Sequence, residues 1–264
     1  MSCLSAGEVG ERLARAGRLE LRPLCVCGSA KAPEDTVMVA DVVRSGHRCL
    51  AKAILLVSAG KADGVYLGGS AVRGVCPGAL GWLGFAEFPE SICDDLSTGG
   101  EDAMYLKESP GHCAWTLRKV GRIRPQDRYV VVRPCEKAGD EKPLSYLCFG
   151  SAEQVRNLCG LLHFGSDAPF GQIDAAWGSH CALFVSYPAG MAPGAPKETA
   201  FLGPTAPDGN LWFPPDLMAL GVPARLAERM AENVDRSFAG RRAESTYPEA
   251  RDKEVQKALK GRHG

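Results

Sequence analysis

No stretch of this 264-residue chain is long and apolar enough to span a bilayer. A spanning helix needs about 18 or more apolar residues, and the longest apolar stretch, Ala51 to Val57, already contains Lys52. Met1 to Gly10 lack a basic start followed by an apolar block, so no secretory signal is expected and the cytoplasm is the expected location. Charge of one sign is also missing: 31 Lys plus Arg balance 31 Asp plus Glu. Displacing counterions from nucleic acid takes a basic face, so neither a nucleic acid nor a membrane is an expected partner. The oligomeric state is open.

Familiar catalytic signatures are absent too. Gly68-Gly69 and Gly99-Gly100 belong to neither GxGxxG nor GxxxxGK[ST], and there is no GxSxG elbow. The 5 histidines do not fall in HExxH spacing, and no two cysteines are separated by two residues, which excludes zinc-ribbon and thioredoxin-like motifs.

What the chain does have is 11 cysteines. Their odd number, modest density and reducing compartment argue against disulfides. They serve either as small buried hydrophobes or as ligands and nucleophiles. Cys148 inside a strand and Cys159 on an apolar helix stripe read as core. Cys25 and Cys27 on one strand point to the same face, where they suit a core or, less commonly, a soft metal.

The periodicities predict a helix from a Ser5–Glu8 capping box to about Leu19, and a strand over Leu21–Cys27 with Pro23 at an edge or as first residue. A loop follows at Ala32–Asp35, then a helix over His47–Ser58 ended by Gly60, and a strand over Gly64–Gly68. Gly74–Gly84 is a glycine-punctuated turn opening a short helix at Pro77. Phe88–Glu108 reads as a long acidic loop or lid, and Pro110–Val120 as helix. Strands are expected over Arg128–Arg133 and Ser145–Phe149, and a helix from the Ser151–Gln154 capping box with Val155, Leu158, Cys159 and Leu162 on its stripe. His180–Tyr187 reads as helix, Glu198–Leu202 and Asn210–Phe213 as strands. Pro223 opens a helix carrying Leu226, Met230 and Val234. The fold class is α+β: one mixed-sheet domain with flanking helices over residues 1–238, followed by a charged tail, 239–264, disordered or a solvated helix.

Three segments join a cysteine to unusual neighbours. Cys49 stands at a helix start between Arg48 and Lys52, where the dipole and open amides favour a thiolate. Cys76 precedes Pro77-Gly78 at another helix start. Cys181 follows His180 ahead of Tyr187-Pro188. Together with Ser151–Gln154, the segments from Arg48-Cys49 to Ala53, from Cys76-Pro77-Gly78 to Leu83-Gly84, and from Cys181 to Tyr187-Pro188 resemble domain-of-unknown-function family 169 over roughly residues 20–235. The resemblance implies a cysteine in the first, second and last of these segments, here Cys49, Cys76 and Cys181, and it implies no reaction. Eight further cysteines and the charged tail depart from the family pattern.

Three thiolates can hold an iron–sulfur cluster, or alternatively zinc, with a coordination position left open for a substrate. The leading expectation is therefore an enzyme of non-redox lyase or desulfurising type, acting on a small anionic molecule held by Arg48 and Lys52, with His180 as ligand or proton donor. The alternatives are a carrier of a metal, tetrapyrrole or other small ligand, a thiol enzyme with Cys49 as nucleophile, and three separately buried cysteines. Arg48 and Lys52 also suit a solvated helix face, and His180 and His112 suit structural roles. Trp82, Trp115, Trp177 and Trp212 suit core packing.

Overall fold

In the computed structural model, residues 4–44, 48–99, 103–119, 128–190, 198–206 and 212–241 are described. Ser5 caps α1 (Ala6–Gly17): its Oγ accepts the Glu8 N–H at 3.2 Å, and the Glu8 carboxylate accepts the Ser5 N–H at 2.7 Å. The chain then runs through β1 (Leu24–Ser29), β2 (Val37–Met38), α2 (Val39–Val42), α3 (Leu50–Ser58), β3 (Val65–Gly68), α4 (Pro77–Trp82), α5 (Ile92–Asp95) and α6 (Pro110–Leu117). Next come β4 (Tyr129–Pro134), β5 (Ser145–Ser151), α7 (Ala152–Phe164) and β6 (Ile173–Asp174). A π-helical turn, Ala182–Ser186, leads into α8 (Tyr187–Gly190), and β7 (Ala200–Gly203), β8 (Leu217–Pro223), α9 (Ala224–Asn233) and α10 (Phe238–Arg241) complete it.

The strands form one 8-stranded sheet in the order β2-β3-β4-β1-β5-β8-β7-β6. The outer pairs β2–β3 and β6–β7 are parallel and the inner pairs antiparallel, giving the mixed α+β sheet that the sequence predicts. Alternation along the strands sends side chains to two cores. Leu24, Val26, Leu147 and Phe149 face the first, under α3, α4, α6 and the π-helical turn. Cys25, Cys27, Tyr146 and Cys148 face the second, under α1, α7 and α9. Buried strands on both faces explain why β1, β4 and β5 read as continuous apolar runs.

At Gly221 of β8 the π-helical turn lies against the sheet. A Cβ there would stand 2.6 Å from the Leu183 carbonyl oxygen and 2.9 Å from Pro188 Cγ. Only glycine permits that approach, and it sets the height of the Cys181 segment above the sheet.

Several expectations change. Pro23 lies just before β1, and β1 is an inner strand, so the edge alternative does not hold. The acidic segment Phe88–Glu108 contains the short helix α5. Strand Leu217–Pro223, enclosed by prolines, has no counterpart among the expected elements. Trp212 and Phe213 form a turn rather than a strand, because their rings turn inward against His180. Residues 210–211, His47, Val120 and the tail from 242 lie outside the described residues; α10 extends past residue 238.

Candidate thiol site

Cys49 occupies the N-cap of α3 in extended conformation and is 7% exposed. Cys76 occupies the N-cap of α4, with Pro77 as the first helical residue, and is half-buried. Its N–H donates to the Arg48 carbonyl oxygen at 3.3 Å, which fastens the second cysteine segment to the first. A Cβ on Gly78 would lie 3.5 Å from the Cys76 sulfur, so glycine leaves that flank open. Cys181, also 7% exposed, directly precedes the π-helical turn.

The three cysteines, far apart in the chain, share one electrostatic neighbourhood. Burial pushes the Cys181 thiol well above its ordinary range, and negative charge on Cys49 or Cys76 pushes it further. The amide of Ala51 acts in the opposite direction, as does that of Cys181 itself. Cys49 is raised by burial first; the Lys52 amide opposes this, Cys76 adds to it, and the Ala51 amide and the Lys52 ammonium oppose it again. Ala51 in the first turn of α3 therefore favours the thiolates of both Cys49 and Cys181. The expected lowering of Cys49 by the helix start is present, but desolvation outweighs it.

Arg48 is exposed, and its guanidinium lies over Gly74: a Cβ there would be 2.6 Å from Nη1. Lys52 is half-buried on the first turn of α3. His180 is 2% exposed and surrounded by the rings of Phe184, Trp212 and Phe213 at centroid distances of 5.5, 5.6 and 5.2 Å. Burial lowers its pKa to about 4, so the ring is neutral at pH 7. Among the described residues no group of three or more His, Cys, Asp or Glu is arranged to hold a metal ion. The thiols are close enough to feel one another's charge without standing in ligation geometry.

The remaining cysteines sort by core. Cys25 and Cys27 sit behind the other face of the sheet with their sulfurs 3.9 Å apart, and both thiols are raised: Cys25 chiefly by its contact with Cys135, Cys27 chiefly by Cys25. Burial alone raises Cys148 to about 12. None of the described cysteines is in a disulfide. A cavity of about 960 Å³ opens beside α7 and α9, lined by Phe170, Glu198, Arg225 and Arg229. Glu198 accepts from Arg229 at 2.5 Å and lies 3.9 Å from Arg225, and with Asp167 also in the lining two carboxylates balance two guanidiniums. Nothing in the sequence pattern marks that cavity.

Fold and site together define an α+β protein with three cysteines gathered where two helices begin. Residues 12–233 match the family of uncharacterised ArCR proteins, domain-of-unknown-function family 169, and the chain belongs to it. No curated protein and no solved structure matches the chain. No helix among the described residues is long and apolar enough to cross a membrane.

Proposed function

We infer that the protein is a cysteine-ligated metal or iron–sulfur enzyme of non-redox lyase or desulfurising type, acting in the cytoplasm on a small anionic molecule. The carrying observation is the shared neighbourhood of Cys49, Cys76 and Cys181: the Ala51 amide serves Cys49 and Cys181, and the Cys76 N–H is bonded to the residue before Cys49. The donor set is right in kind: three soft sulfurs from three segments leave one position of a cluster open. Ligation requires the three thiols to lose their protons and turn toward one another; the Ala51 amide favours the charged form of Cys49 and Cys181, and the Lys52 amide that of Cys49. A bound cluster would supply a Lewis-acidic iron for the substrate. Arg48, exposed beside Gly74, and Lys52, next to Cys49, would hold the anion. Neutral His180 in its ring cage fits a role in shaping the apolar wall. A thiol enzyme built on Cys49 has less support, since burial makes its thiolate scarce.

The test is anaerobic purification followed by reconstitution with iron and sulfide, or with zinc. The expected result is bound iron with acid-labile sulfide and a broad absorbance near 400 nm, lost in Cys49→Ala, Cys76→Ala and Cys181→Ala but kept in Cys148→Ala. Protein that takes up neither iron nor zinc after reconstitution overturns the reading. Bound metal without turnover of any small anion leaves a carrier.

A further inference from the structure

A second thiol pair lies outside that site, between α5 and α6. Cys93 on α5 is half-buried, whereas Cys113 on α6 is fully buried behind it. The two helices pack together, Cys93 packs against the core in which Cys113 is buried, and the two thiols are near enough for the charge of one to bear on the other. Neither belongs to the resemblance that picks out Cys49, Cys76 and Cys181. We propose that Cys93 and Cys113 form a redox-active dithiol that accepts oxidation from low-molecular-mass disulfides, with Cys93 as the attacking and Cys113 as the resolving thiol.

The arrangement suits each half of the exchange. Cys93 reaches solvent and is the sulfur an external disulfide can meet. Its thiolate attacks one sulfur of RSSR, the S–S bond breaks, and RS⁻ leaves to take up a proton. A mixed disulfide, Cys93–S–S–R, remains. Cys113 keeps its proton until then: burial and the Cys93 charge raise its thiol to about 12, with Lys107 opposing. Loss of the Cys93 charge in the mixed disulfide removes one of those causes. Cys113 then gives up its proton and attacks the Cys93 sulfur, expelling the second RS⁻. Two protein thiols are oxidised to one disulfide, and RSSR is reduced to two RSH.

The surroundings are fixed enough to keep the pair in register. Ser97 Oγ donates to the Cys93 carbonyl oxygen at 2.5 Å. Beyond α5, the Met104 N–H donates to Asp95 O at 2.8 Å and the Leu106 N–H to Leu96 O at 3.1 Å. Ser109 caps α6 by accepting the His112 N–H at 3.2 Å. The same segment reaches toward the first core, where Lys107 Nζ stands 4.6 Å from the Trp177 ring centroid, and Trp177 lies 6.2 Å from Trp82 of α4. The dithiol stands independently of the function proposed above, because no thiol is shared.

The test is incubation of the full-length reduced protein with glutathione disulfide, followed by alkylation and peptide mapping. The expected product has lost two hydrogen atoms, carries a Cys93–Cys113 cross-link, and returns to the dithiol with dithiothreitol. Cys113→Ser should stop at glutathione on Cys93, and Cys93→Ser should leave Cys113 unmodified. Wild-type protein that stops at a mixed disulfide on Cys93, that closes Cys93 onto another cysteine, or that leaves Cys93 unmodified overturns the proposal, and none of these readings depends on the variants folding.

Discussion

The backbone N–H of Cys76 donates to the carbonyl oxygen of Arg48 across 3.3 Å. That bond joins the start of α4 to the residue before Cys49. It brings a half-buried sulfur alongside a buried one, while Cys181 approaches from the π-helical turn. The three thiols therefore differ in access although they share one neighbourhood.

Difference in access predicts an order of alkylation. With iodoacetamide at neutral pH, Cys76 should label first. Cys49 and Cys181 should lag by about tenfold, since burial slows the encounter and an upward shift leaves less thiolate to react. Time-resolved peptide mapping reads the order. Labelling of Cys49 ahead of Cys76 contradicts it and favours a nucleophilic Cys49.

Gly221→Ala should destabilise the protein by on the order of 1–3 kcal/mol, because the new Cβ meets the Leu183 carbonyl oxygen and Pro188 and one of them must shift. Urea unfolding measures the loss. Since the displaced element carries Cys181, the labelling rate of Cys181 should rise in the same variant. An unchanged midpoint would show that the π-helical turn does not press on β8.

Much of this fold is legible from local chemistry. The Ser5–Glu8 and Ser151–Gln154 boxes set two helix starts, and the apolar runs of β1, β4 and β5 announce buried strands. Elements that depend on tertiary neighbours are not legible. β8 lies between Pro214-Pro215 and Pro223, where local signals point to breaks, and its pairing with β5 and β7 decides its state. Trp212 and Phe213 look like a strand by composition, but the cage around His180 turns them inward. Cys49, Cys76 and Cys181 are recognisable as positions from the family resemblance. Their meeting depends on how α3, α4 and the π-helical turn stack on one face of the sheet, which spacing does not encode. Cys93 sits in an acidic, weakly patterned stretch and Cys113 in the helix that follows it, and nothing in their spacing says that they approach.

The caged histidine predicts a pH dependence. Its folded pKa of about 4 lies below the ordinary 6.5, so the unfolded chain binds the extra proton first as pH falls. The neutral ring's contribution is fully present above pH 6.5, declines below it, and is lost by about pH 4. At 1.36 kcal/mol per unit the loss amounts to about 3 kcal/mol. Urea midpoints at pH 7 and pH 4.5 should diverge in the wild type and converge by most of that amount in His180→Phe, which keeps the ring packing without the titration. Equal divergence in both proteins would assign the acid sensitivity to other groups.

Trp82 and Ser186 couple the second and third cysteine segments. The Trp82 ring, 1% exposed, meets the edges of Phe88 and Tyr187 at 5.2 and 5.8 Å, and its carbonyl oxygen accepts from Ser186 Oγ at 2.6 Å. Trp82 ends α4, which Cys76 caps, and Ser186 ends the π-helical turn, which Cys181 precedes. Trp82→Ala should cost about 3–5 kcal/mol through lost apolar burial and the cavity left behind. Ser186→Ala should cost about 1–3 kcal/mol, because it strips a buried carbonyl of a donor while leaving the ring in place. Alanine at position 82 keeps the carbonyl oxygen that Ser186 bonds, so the two losses should add to within about 0.5 kcal/mol in the double variant. A double-mutant cycle in urea measures that sum. A larger departure from additivity would mean that the Trp82 ring, and not its carbonyl alone, holds the Ser186 hydroxyl in place between α4 and the π-helical turn.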